Sequence, residues 1–92
     1  MMAKIKAVAI YPEVVKRFSD FKRCRDDEWK RYAFDVRKKH EYQDFLTRIS
    51  WDLLHLCFTS TEICRWYRVY EINDRHITTV VRKAYIEVFG KI

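Results

Sequence analysis

The chain reads as an all-α protein, a compact bundle of four to five helices in a single domain spanning 1–92. Three observations predict this. There is one glycine and one proline in 92 residues, and strand meanders need frequent tight turns that these residues supply. Apolar residues recur at three- and four-residue steps. Asp, Asn, Ser and Thr stand where helix N-caps are needed. At this length a second core would not fit, since domains run to roughly 100–150 residues.

Residues 1–11 are open to two readings. Lys4, Ile5, Lys6 and Ala7 can begin a short strand or a loose helix. Pro12 fits a first helical position and Glu13 suits a helix N-terminus. Val14, Val15, Phe18 and Phe21 share a face, which predicts a helix over about 12–24. Asp26 and Asp27 are natural caps for a second, 27–40, with Trp29, Tyr32, Ala33 and Val36 on one side.

Tyr42, Phe45, Leu46, Ile49, Leu53 and Leu56 form the strongest apolar stripe and predict a helix over 41–58. Its phase departs from the preceding stripe near His40–Glu41. Trp51, Leu54 and Phe58 make a second stripe on the side away from the first. A helix apolar nearly all round is either central in its bundle or shares a face with another chain. Trp51, Leu54 and Phe58 are therefore candidate protein-interface residues, and a homodimer is one way to cover them.

Thr59 and Glu62 have capping-box spacing and open a helix over 60–72. That segment is rich in β formers, yet its helical phase and cap outweigh propensity. Asn73-Asp74 supplies the next turn. Ile77, Val80, Val81, Ala84 and Val88 face inward on a helix over 74–89, and Gly90 closes it in a left-handed C-cap.

Composition limits the chemistry. Without paired glycines there is no P-loop, no dinucleotide fingerprint and no nucleophile elbow. His40, His55, His76, Cys24, Cys57 and Cys64 have no structural-zinc spacing, so neither metal nor cofactor is expected. No catalytic constellation stands out, and a non-enzymatic protein is expected. The longest apolar run, Ala7–Tyr11, is too short for a membrane span or a signal peptide. An odd number of cysteines suits a reducing cytoplasm.

The formal charge of +6 points to nucleic acid or an acidic protein surface. The last two helices form a helix-turn-helix-like pair. The outer face of the second carries Arg75, Thr78, Thr79, Arg82 and Lys83, side chains able to reach base edges or phosphates. A second basic region runs from Lys16 to Lys39. It holds Lys16, Arg17, Lys22, Arg23, Arg37, Lys38 and Lys39 among ten cations and five acids, a surface suited to phosphate backbones. Nucleic-acid binding, as a regulator or accessory factor, is the leading expectation. The alternative is a small inhibitor or adaptor of viral or mobile-element type that covers a partner's surface.

Tyr67-Arg68-Val69-Tyr70-Glu71-Ile72-Asn73-Asp74, followed by His76-Ile77-Thr78-Thr79-Val80-Val81, resembles the terminal hairpin of RelE/ParE-type toxins. A strand-proline-helix order over 4–24 would suit that family, and its closing Arg-then-Tyr pattern would map to Arg82 and Tyr85. The resemblance implies an endoribonuclease or gyrase poison. The helical phase of 74–89 and the scarcity of turn formers place this reading third.

Overall fold

A computed structural model describes residues 2–90, with side chains from Val8 onward. Four helices make up the described chain: α1 (Met2–Arg37), α2 (Tyr42–Cys57), α3 (Ser60–Tyr70) and α4 (Asp74–Phe89). α4 packs most extensively on α1, and α2 lies against both.

Of the two readings of residues 1–11 the helical one holds for 2–11, and the expected helix start at Pro12 is corrected: neither a strand nor a helix beginning there is formed. Ile10, Val14 and Phe18 are four residues apart and all buried. That row outweighs the cost of Pro12, which lacks the N–H that would return to the Val8 carbonyl. Pro12 itself is exposed, so water can reach the orphaned acceptor. The expected boundary beside Asp26 and Asp27 exists as a kink: Arg25 leaves the helical region at φ −139°, ψ 30°. Beyond it Trp29 and Ala33 point into the core, and α1 stops at Arg37 rather than at residue 40.

α2 buries Phe45, Leu46, Ile49, Ser50, Leu53 and Leu54. At ~100° per residue these span about half the helix circumference. The second stripe is therefore corrected. Leu54 is 0% exposed and Phe58 4%, and half-buried Trp51 donates its indole N–H to Thr78 Oγ1 on α4 at 2.9 Å. The chain's own helices cover Leu54 and Phe58, while Trp51 stays partly open at the surface. α2 packs against α1 and α4, which take up most of its apolar surface. Conversely Leu56, assigned to the inward stripe, is 62% exposed. It lies at the helix end and faces a groove beside the α1 kink, lined also by Phe21, Arg25 and Trp29.

The expected capping box opens α3. Thr59 Oγ1 accepts from the Glu62 amide at 3.2 Å, and Glu62 Oε1 accepts from the Thr59 amide at 2.9 Å. Ile63 and Trp66 are buried while Arg65 and Arg68 are exposed, so amphipathic phase prevails over β propensity. Among the described residues there is no strand. Residues 67–81 fall in two helices and the turn between them, so the hairpin implied by the RelE/ParE resemblance does not form.

Glu71 takes the place of the missing turn glycine. It adopts the left-handed conformation, φ 53°, ψ 42°, at a cost of roughly 1 kcal/mol. Buried Ile72 anchors the turn and Asn73 caps α4. Gly90 has the expected positive φ of 79°, but with an extended ψ of 175° in place of the left-handed cap. No helix among the described residues is long and apolar enough to cross a membrane.

Candidate nucleic-acid interface

Arg75, Thr79 and Lys83 sit four residues apart and are all exposed, so they form one row along α4. Thr79 donates its hydroxyl to the Arg75 carbonyl at 3.1 Å. Thr78 and Arg82 turn the other way, toward α2: Thr78 accepts from Trp51, and Arg82 donates to Gln43 Oε1. The expected five-residue face is thus divided. One row remains open and two members are tied to a neighbouring helix.

The open row borders a groove of about 640 Å³ between α1 and α4, lined by Val8, Tyr11, Asn73, Arg75, His76, Thr79, Val80 and Lys83. No acid is among these residues. Asn73 and His76 cap the start of α4 reciprocally. Asn73 Oδ1 accepts from the His76 amide at 3.2 Å, and His76 Nδ1 accepts from the Asn73 amide at 3.1 Å. An Nδ1 that accepts leaves the neutral ring's proton on Nε2, so His76 retains a donor. From α3, the Tyr67 hydroxyl donates to Asp74 Oδ1 at the first residue of α4. Burial, then that carboxylate, pushes the Tyr67 phenol up to about 12.

Comparison with protein-family models, curated proteins and solved structures finds no match for this chain.

The basic stretch on α1 is largely engaged within the chain. Lys16 lies 3.5 Å from Asp20, Arg25 3.0 Å from Glu28 and Lys30 3.0 Å from Asp26, and Arg23 also pairs with Asp20. Such i,i+3 and i,i+4 pairs neutralise a surface locally while adding little stability. Arg17 has a structural position. It donates to the Cys57 carbonyl at 2.8 Å, to Glu62 at 2.8 Å and to Glu13 at 3.0 Å, and lies 4.5 Å over the Phe58 ring. Lys22 donates to the Val88 carbonyl at 3.1 Å, Arg37 to that of His40 at 2.9 Å, and Lys38 lies 4.5 Å over Phe34. Lys39 is exposed.

Lys22 and Arg23 line a second depression with Ser19, Asp26 and Val88, where α1 passes the end of α4. The α1–α4 seam therefore gathers cations from both expected regions: Arg75 and Lys83 from one, Lys22 and Arg23 from the other. Tyr11, Val8 and His76 were not foreseen as part of this surface. Extending the Ile10–Val14–Phe18 row backward would have shown α1 continuing past Pro12 alongside α4.

Among the described residues, no group of three or more His, Cys, Asp and Glu is placed to hold a metal. Burial pushes the Cys57 thiol up to about 11. It stays protonated near neutrality, and the thiolate is the form that attacks or ligates.

Proposed function

We propose that the protein binds nucleic acid through the outer face of α4, with Arg75 and Lys83 on backbone phosphates and Thr79 between them. One observation carries this reading. Arg75 and Lys83 have no ion pair among the described residues and border a groove without acids, whereas Lys16, Arg17, Arg23, Arg25 and Lys30 are matched by Asp and Glu. Phosphate contact draws on cations whose charge is not already neutralised. The three-residue turn between α3 and α4 is in keeping with a helix-turn-helix-like order along the chain, without requiring that α4 enter a duplex groove.

The test is fluorescence anisotropy with labelled mixed-sequence oligonucleotides, single-stranded and duplex, across a salt series. Arg75→Ala with Lys83→Ala is expected to weaken binding at least tenfold and to reduce the salt slope by about 2. Lys16→Ala with Lys30→Ala is expected to stay within about twofold of the parent. No binding to either form, or equal losses in both double variants, overturns the proposal.

A second reading, a protein partner, is favoured by the groove at the α1 kink. Phe21, Trp29, Tyr32 and Leu56 line it beside Arg25 and His55, an aromatic and Arg-containing surface of the kind that anchors interfaces. A partner retained after nuclease treatment, and lost in Leu56→Asp, would support it.

A further inference from the structure

We propose that the nucleic acid taken by this surface is single-stranded, and that the α1–α4 groove receives one unpaired base against Tyr11, Val8 and Val80 while Arg75 and Lys83 hold the phosphates on either side. This rests on the nucleic-acid reading above and specifies the ligand's form.

Three features carry it. The first is what flanks α4. A recognition helix enters a major groove about 12 Å wide and must project from its protein. Here α2 reaches α4 from one side, through Trp51 to Thr78 and Gln43 to Arg82. α1 borders the other side, through Val8 and Tyr11. The exposed row Arg75–Thr79–Lys83 therefore runs along the rim of the α1–α4 groove, with a neighbouring helix on either side of α4.

The second feature is the chemistry of that groove. It combines an aromatic and two valines with two cations, and its volume of about 640 Å³ lies within the ~300–1,000 Å³ of ligand clefts. Apolar floor plus basic rim complements an unpaired base on an anionic strand. Proteins that bind single strands pair an aromatic platform with a positive groove in this way. A duplex keeps its base faces stacked and has nothing to place on Tyr11.

The third feature is spacing. Arg75 and Lys83 are eight residues apart, ~12 Å at ~1.5 Å per residue. Successive phosphates are closer together than this, and the long Arg and Lys side chains can converge on them from the two ends of the row. His76, with its Nδ1 engaged by the Asn73 amide, retains its Nε2–H as a donor to a base edge.

The experiment compares a labelled 12-nucleotide strand, its duplex, and a base-free sugar–phosphate strand of equal length, at one ionic strength. The single strand is expected to bind at least tenfold tighter than the duplex. Tyr11→Ala is expected to weaken the single strand roughly five- to tenfold with an unchanged salt slope, and Tyr11→Phe to restore it. The base-free strand, tested on the unmodified protein, is expected to show the same loss without any substitution that could disturb folding. Duplex binding as tight as the single strand overturns the inference, as does a base-free strand that binds as well as the natural one. Either result leaves α4 as a phosphate-binding face. Binding of neither strand nor duplex, with an acidic peptide retained in the groove instead, overturns both readings together.

Discussion

The indole N–H of Trp29 donates to the hydroxyl oxygen of Tyr85 at 2.8 Å, joining the second half of α1 to α4 across the core. Both residues are buried. The pair fixes α1 beyond its kink, because a large aromatic is retained inside only when its polar atom finds a partner. Tyr85→Phe leaves the indole donor unsatisfied and is expected to cost about 1–3 kcal/mol. Trp29→Phe in the same background should cost less than in the parent, since the orphaned donor is already there. Urea denaturation of the two single variants and the double variant reads this coupling directly.

Alkaline lability follows from the same burial. Desolvation pushes Tyr85 up to about 12 from 10.0, and Cys57 up to about 11 from 9.0. The Trp29 hydrogen bond opposes the Tyr85 shift without cancelling it. Each group binds its proton more tightly folded than unfolded. Stability is therefore full below pH 9 and declines as pH rises through the window from about 9 to about 12. Urea midpoints at pH 8, 10 and 11 should fall progressively. Tyr85→Phe should flatten the decline above pH 10, and Cys57→Ala the part that begins near pH 9.

Arg17 is expected to matter for folding and not for nucleic acid. Its guanidinium closes the end of α2 at the Cys57 carbonyl and pairs with Glu62 at the start of α3, so it ties three helices at one point. Arg17→Met keeps an aliphatic side chain of similar length and removes the guanidinium, its donors and its contact with the Phe58 ring. The expected loss is about 1–2 kcal/mol in urea unfolding. Oligonucleotide affinity at 20 °C, where the variant stays folded, should be unchanged. A loss comparable to that of Arg75→Ala would return the α1 stretch to the binding surface.

Glu62 gives a separate acid limb. Its hydrogen bond from the Thr59 amide, followed by Arg17, holds its carboxyl below the usual carboxylate range. A depressed carboxyl contributes stability above its unfolded value that is lost as pH falls through the folded one. Unfolding midpoints should therefore drop below pH 4.5, the ordinary value. Glu62→Gln should lower stability at neutral pH and make the acid limb shallower.

The helices were legible where local rules act. The Thr59–Glu62 box, the Asn73 cap and the core face Ile77, Val80, Val81 and Ala84 are all as the residues imply. Long-range packing was not legible. Nothing adjacent to Pro12 says that Ile10 will be buried, and nothing near Arg17 says that it will meet Glu62, 45 residues away. The basic row suffered the same limit: spacing placed Thr78, Thr79, Arg82 and Lys83 on one face, but only tertiary contact shows that Trp51 and Gln43 take two of them.

The sharpest test of that distinction lies on α2. Helical phase alone put Leu56 inside and left open whether Leu54 and Phe58 are covered by the rest of the bundle or by another chain. Packing settles both: Leu54 and Phe58 are buried and Leu56 is exposed. Leu54→Ala removes buried methyls from a site fully enclosed by its own chain and is expected to cost about 2–5 kcal/mol. Phe58→Ala should also lose the 4.9 Å edge contact with Trp66 and the Arg17 stack. Leu56→Ser should stay within about 0.5 kcal/mol, as surface changes do. Because these costs arise within one chain, the unfolding midpoints should not move when protein concentration is raised a hundredfold. Midpoints that rise with concentration, together with a small effect of Leu54→Ala, would mean that a second copy completes the core.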